Sequence, residues 1–235
     1  MATALTYTDY VAAMANILVI DDVANTDYVQ ILPSMISYAE DRIQNDLDLI
    51  ATFGTSTISL SANTPSGTIP TGMYIVNSVN VITPAATNPD SGTRNPLQRL
   101  SVEQLHYIWP DATDTDVPQN YAILNDTTII LAPTPDAAYK AEVIGVSTLT
   151  PISGSNATNW ISINLPELLI AASCVFGFGW QRDFGQQSGD PSASMSWESQ
   201  YQALLKSDMV QEFRKKAQSS GWTPFSPSPL ASPRT

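Results

Sequence analysis

The sequence predicts an α+β fold: an antiparallel helical bundle with an inserted, mostly antiparallel β domain and an extended Pro-rich C-terminal tail. Three observations carry this prediction. Apolar residues recur every three or four positions before residue 52 and again after residue 160, the repeat of one helix face. Between those stretches, short β-branched runs alternate with Pro, Gly, Asn and Asp, as strands and turns do. After Gly221 the segment WTPFSPSPLASPRT holds four prolines and three serines, a composition that favours a polyproline-type strap. The expected domains are residues 1–51 with 160–221 (helical bundle), 52–159 (β domain) and 222–235 (tail).

Taken in order, Thr6 and Asp9 resemble a capping box ahead of Tyr10, Val11, Met14, Ile17 and Leu18, so a first helix of about three turns is expected. Asp21 and Asp22 open a polar connection to Asn25-Thr26-Asp27. Pro33 fits a helix start or a kink. A short turn is therefore expected from Asp27 to Leu32, with the main helix running from there to about Leu49. On that helix Leu32, Ile36, Ala39, Ile43, Leu47 and Ile50 share one stripe, and Ser37, Asp41, Gln44 and Asp48 the wet one.

In the β domain, strands are expected over Thr57–Leu60, Met73–Ile82, Tyr121–Leu124, Thr127–Leu131 and Tyr139–Ser147. Asn125-Asp126 suits a tight hairpin, and Ser101 with Gln104 caps a short helix ending near Trp109-Pro110. Ala85–Pro96 and Asp111–Val117 read as loops.

Helical periodicity resumes at Asn164, which with Glu167 resembles a capping box and has Pro166 in the first turn. Leu168–Trp180 is apolar nearly all round, as in a helix buried at a bundle centre. Gly177 and Gly179 suggest close approach by a neighbouring helix. After a loop at 186–191, the last helix is expected from about Pro191 to Ser219, stopped by Gly221. Its Trp197, Tyr201, Leu205, Met209, Phe213 and Ala217 recur at every fourth position, a ridge that drifts by about 40° per step. One end then faces the chain's own core and the other a partner. With Trp222, Phe225 and Leu230 as anchors in the tail, the expected partner-binding residues are Met209, Phe213, Trp222, Phe225 and Leu230.

Composition narrows the function. Twenty-two acidic against ten basic residues leave a net charge of −12, which argues against a tight grip on nucleic acid by counterion release. The single cysteine, Cys174, lies in an apolar run and reads as a buried hydrophobe. The first residues lack a signal peptide's basic and apolar regions, and the longest apolar run, Leu168–Val175, is short of the roughly 18 residues of a membrane span. A protein of the reducing cytoplasm, without a membrane segment, is the expectation.

Enzyme chemistry finds little footing. His106 stands alone, without a nucleophile motif. Asp111, Asp114 and Asp116 lack the spacing, glycine and distal glutamate of a calcium loop. Glu40, Asp41, Asp46 and Asp48 read as helical surface charge, and Lys206, Arg214, Lys215 and Lys216 suit the negative end of a helix dipole. No catalytic residue, cofactor or metal site is predicted, and the protein is expected not to be an enzyme.

The ordered set of motifs resembles the head-to-tail adaptor (connector) proteins of tailed bacteriophages, of the short-tailed phage type. It comprises Ile31-Leu32-Pro33-Ser34-Met35-Ile36 followed by Ala39-Glu40-Asp41-Arg42-Ile43 and Asp46-Leu47-Asp48-Leu49; Pro118-Gln119-Asn120-Tyr121-Ala122-Ile123; Ile129-Ile130-Leu131-Ala132-Pro133-Thr134-Pro135-Asp136; and Trp160 followed by Leu165-Pro166-Glu167-Leu168-Leu169. The resemblance runs from about Tyr7 to Phe213. It implies a structural virion protein at the head-tail junction, assembled in the host cytoplasm. Twelve copies would form a homo-oligomeric ring that binds the portal protein on one face and the tail or nozzle protein on the other. The genome would pass through the lumen on ejection, without sequence-specific DNA binding. Two alternatives stand beside it: another tail completion or stopper ring protein, and a carbohydrate-binding module using Trp160 and Tyr121, or carboxylates acting on a glycan.

Overall fold

In the computed structural model, which describes residues 4–180 and 192–219, helices and antiparallel sheets occupy different stretches of the chain, an α+β arrangement. Contacts divide it into two compact units: the chain up to Ile50 together with the chain from Leu149 onward, and Ala51–Thr148. Leu149–Asn159, grouped with the β domain on sequence, falls with the helices.

In the helical unit, α1 (Tyr7–Ile17) opens with the Thr6–Asp9 capping box, each side chain accepting from the other residue's backbone N–H. The next helix, α2, is one continuous element, Thr26–Asp46, with Pro33 inside it; the expected turn over Asp27–Leu32 does not form. Two features explain the difference. The Asn25 side chain accepts from the N–H groups of Asp27 and Tyr28, which nucleates the helix about two turns earlier than Pro33 could. Pro33 itself is exposed, so water can solvate the Val29 carbonyl that its missing N–H leaves without a helical donor. Tyr28 and Leu32 are buried and anchor that first turn. Of the predicted stripe, Leu32, Ile36, Ala39, Ile43 and Leu47 are buried to within 3 %, whereas Ile50 lies beyond the end of α2, in a 3-10 turn, and is only half-buried.

After the other unit, with its short helix α3 (Val102–Ile108), come α4 (Trp160–Asn164), α5 (Pro166–Trp180) and α6 (Ser192–Ser219). The expected cap at Asn164 is not used as a cap. Its side chain donates instead to the Trp160 carbonyl, because a separate short helix, capped by Asn159 with Ser162, precedes α5. Within α5, Leu168, Leu169, Ala171, Ala172, Ser173, Cys174 and Gly177 are buried. A Cβ on Gly177 would stand 3.1 Å from both Leu18 methyls and 3.4 Å from Met35 Sδ, a close approach; one on Gly179 would meet nothing within 4 Å, so only the first glycine answers to packing. Tyr10 reaches across to α5, its hydroxyl 2.8 Å from Ser173 Oγ.

The second unit holds two four-stranded sheets. The first, in the order β1 (Phe53–Leu60), β10 (Tyr139–Ser147), β3 (Met73–Thr83), β4 (Thr93–Pro96), is antiparallel throughout. The second, in the order β2 (Ser66–Thr68), β8 (Thr128–Ala132), β7 (Asn120–Asn125), β5 (Gln98–Arg99), is antiparallel except for the short β5–β7 pair. Strands β7 and β8 form the hairpin expected at Asn125-Asp126, with Asn125 Oδ1 accepting from the Thr127 N–H at 3.0 Å. Ile58, Leu60, Val79, Val81 and Val143 from the first sheet join Tyr121, Ile129 and Leu131 from the second in one apolar core.

Two expected loops carry strands. β4 lies at the end of Ala85–Pro96, and its Arg94 reaches Glu142 on β10 with both Nε and Nη2, at 2.9 and 3.1 Å. That fork, joined by Asn80 at 3.2 Å, holds a polar segment on the sheet edge where hydrophobic pattern alone gives no signal. Within Asp111–Val117, β6 (Thr115–Asp116) pairs in parallel with β9 (Thr134–Pro135).

Candidate functional site

The last helix, α6, presents the face that sequence drift had singled out. Its inner side is fixed by polar contacts with α2. Arg42 Nη2 donates to Glu198 Oε1 at 2.6 Å, and the Tyr201 hydroxyl donates to Asp46 Oδ2 at 2.7 Å. Arg42 holds Glu198 below the usual carboxylate range, while burial and the Asp46 bond push the Tyr201 phenol up. Tyr201 and Leu205 are buried.

Further along, Glu212 is only 4 % exposed. It accepts the Ile50 N–H at 3.3 Å and the Lys215 ammonium at 2.5 Å. Lys215 also lies 4.9 Å from the centroid of the Trp160 ring, and Lys216 pairs with Asp48. These basic residues therefore do more than complement the helix dipole: two of them tie the helix down.

The opposite side is open. Met209 and Val210 are each 50 % exposed and Phe213 74 %. Spaced one, three and four residues apart, they form one patch on the helix surface, beside exposed Lys206 and Arg214. Of the five expected partner-binding residues the structure thus places Met209 and Phe213 together on a solvent-facing surface; Trp222, Phe225 and Leu230, like Gly221, lie outside the described residues.

Sequence reasoning misplaced Glu40. It is not surface charge: the side chain is 1 % exposed. Oε1 accepts from Asn159 Nδ2 at 2.7 Å and from the Ile152 N–H at 3.2 Å, and Oε2 is buried without a partner. Burial pushes the carboxyl up to about 7, against the opposing pull of those two hydrogen bonds. With Gln44, whose Oε1 accepts the Leu149 N–H at 2.8 Å, it holds the segment returning from the β unit. The only hint in the sequence is position: Glu40 follows Ile36 and Ala39 on the edge of the buried stripe.

The residues suggested for a sugar platform do not form one. Tyr121 is 1 % exposed in the β core. Trp160 is half-buried in the helical unit under Lys215. Among the described residues no group of three or more His, Cys, Asp and Glu could hold a metal ion, and no helix is long and apolar enough to cross a membrane. Cys174 is free and buried, its thiol pushed up to about 12 by desolvation. The family model described as SU10 adaptor protein matches residues 5–229. No curated protein matches the chain.

Proposed function

The chain belongs to the SU10 adaptor protein family, and from that premise we propose that it is the head-to-tail adaptor ring between the portal and the tail or nozzle protein. Membership makes it a structural phage adaptor, a virion component that interacts with other head or tail proteins. The finer reading is a ring of twelve copies at the head-tail junction, assembled in the host cytoplasm, with the genome passing through its lumen. Each copy would contribute a helical bundle interrupted by a β domain and closed by a Pro-rich tail.

The observation that carries the proposal is the extent of the family match, which takes in both compact units and continues past α6 into the tail segment. Two physical features support it. The exposed patch of Met209, Val210 and Phe213 offers apolar area for a neighbouring subunit or the portal, on a helix whose other side is already pinned; with Trp222, Phe225 and Leu230 it makes the partner-binding set. The net charge of −12 suits a lumen that gives phosphates little purchase and lets DNA slide.

Negative-stain electron microscopy of the protein mixed with its cognate portal tests the reading, comparing the full chain with one truncated after Gly221. The expected result is a collar of added density at one end of the portal with the full chain, lost on truncation. No collar with the full chain overturns the proposal.

A further inference from the structure

The edges of the two four-stranded sheets are not alike. β4 is four residues long and carries Arg94 and Pro96, β2 is three residues long and follows Pro65, and β5 is two residues long with exposed Arg99. Short length, charge and proline keep foreign strands from adding to an edge. β1 has none of these guards. Its eight residues, FGTSTISL, hold no charge and no proline, and they keep an unbroken register with β10 from Phe53 to Leu60. We propose that β1 is a self-association edge, on which two copies of this chain pair their β1 strands antiparallel about a two-fold axis.

The strand offers the groups that such pairing needs. It is bonded on one side only, so the N–H and C=O groups of alternate residues point away from β10. Among the described residues those groups have no hydrogen-bond partner. Phe53, Thr55, Thr57 and Ser59 are exposed, while Ile58 and Leu60 turn inward to the β core.

Charge, register and closure select a second copy as the occupant. At a net charge of −12 two copies repel one another over most of their surfaces, and a strip of eight uncharged residues lets them meet without opposing carboxylates. An axis through Ser56 or Thr57 keeps like faces together. Thr57 then stands opposite Thr55 in the first register and opposite itself in the second, a threonine pair of the kind that stabilises neighbouring strands. On the inner face Ile58 meets Gly54 or Ser56, both small enough to leave it room. Pairing also closes both open edges at once. The joined sheet runs β4-β3-β10-β1 in one copy and β1-β10-β3-β4 in the other, so its two outer edges are the strands guarded by Arg94 and Pro96. A single strand added by another protein would instead present a new edge of its own. Such a pair is closed on itself, unlike the head-to-tail contacts that build a ring, and is therefore a state of the chain away from the portal.

The test is sedimentation velocity of the full chain over a concentration series, with no other protein present, together with hydrogen exchange of the β1 amides. A reversible species of two chains is expected, with exchange at alternate positions of β1 slowing as concentration rises. Thr57→Lys, at an exposed position, sets two ammonium groups beside the axis; it is expected to raise the dissociation constant about tenfold or more with no change in melting temperature. Thr93→Lys, exposed on the guarded β4 edge, is expected to leave the constant unchanged. A single-chain mass at every concentration, a species larger than two chains, β1 exchange indifferent to concentration, or a pair that Thr57→Lys weakens no more than Thr93→Lys does overturns the proposal. Because no portal is present, the result stands apart from the collar experiment, and either reading can fail alone.

Discussion

The Arg42 guanidinium lies 4.1 Å from the centroid of the Tyr201 ring, so a cation from α2 covers the aromatic face of a residue on α6. The same guanidinium binds Glu198, and the Tyr201 hydroxyl binds Asp46 next to it. One cluster thus fixes the azimuth of α6, and with it the direction in which Met209 and Phe213 face. Arg42→Ala is expected to lower stability by about 1–3 kcal/mol, since it removes both the charged hydrogen bond and the cation–ring contact. Arg42→Lys should recover less than half of that loss, because an ammonium lacks the planar fork. Urea denaturation of the full chain reads both.

Glu40 sets a pH dependence of definite sign. Its folded pKa of about 7 stands above the ordinary 4.5. The stability contributed by the neutral carboxyl is therefore fully present below 4.5 and is lost as pH rises through 7. Glu142 and Glu198, held low by Arg94 and Arg42, act in the opposite sense, with stability lost as pH falls. Comparison with Glu40→Gln separates the two effects, since the amide oxygen can still accept from Ile152 and Asn159. Between pH 4.5 and 8 the wild type is expected to lose about 3 kcal/mol relative to that variant. Parallel stability curves at the two pH values would refute the assignment.

Glycines divide by the space around them. A Cβ on Gly145 would come within 2.0 Å of the Ile75 carbonyl oxygen, at the irregularity where β10 shifts register against β3. Gly145→Ala should cost more than about 2 kcal/mol through forced backbone movement. Gly179→Ala, with open space around it, should instead gain about 0.5–1 kcal/mol from helix propensity alone. Thermal melting of the two variants is expected to shift in opposite directions.

The α6 patch is separable from the fold. Phe213→Glu changes a side chain that is 74 % exposed, so its melting temperature should stay within about 1 kcal/mol-equivalent of wild type. The same change should reduce portal binding at least tenfold if the patch is buried on assembly. Sedimentation with portal rings measures it, and unchanged binding removes Phe213 from the interface.

Much of this was legible in the sequence because one mechanism dominated at each place. The stripe on α2, the Thr6 and Ser101 caps, the buried α5 and the strands from Met73, Tyr121 and Tyr139 all follow from periodicity and local capping. What stayed hidden depends on partners distant along the chain. Arg94 makes a strand of a polar loop only through Glu142 on β10, and Asn25 overrides Pro33 only because Tyr28 and Leu32 find cover. Glu40 looks like any helical acid until Ile152 and Asn159 arrive from over a hundred residues away. The drift of the apolar ridge along α6 was readable, and the exposures of Tyr201, Leu205, Met209 and Phe213 follow it; what meets the outer end is not written in the helix itself.

The pairing of β1 with β10 has a consequence for how the chain can be assembled. The first and last strands of the β unit lie side by side, from Phe53 opposite Val146 to Leu60 opposite Tyr139, so the segment leaves and returns at almost the same point. Once that pair has formed, the helices before Ile50 and after Leu149 are joined by what amounts to a link of a few residues rather than by about a hundred. The entropy of closing the helical core is then smaller by on the order of 3 kcal/mol. The β unit acts as a clasp that holds two parts of the sequence about a hundred residues apart as neighbours.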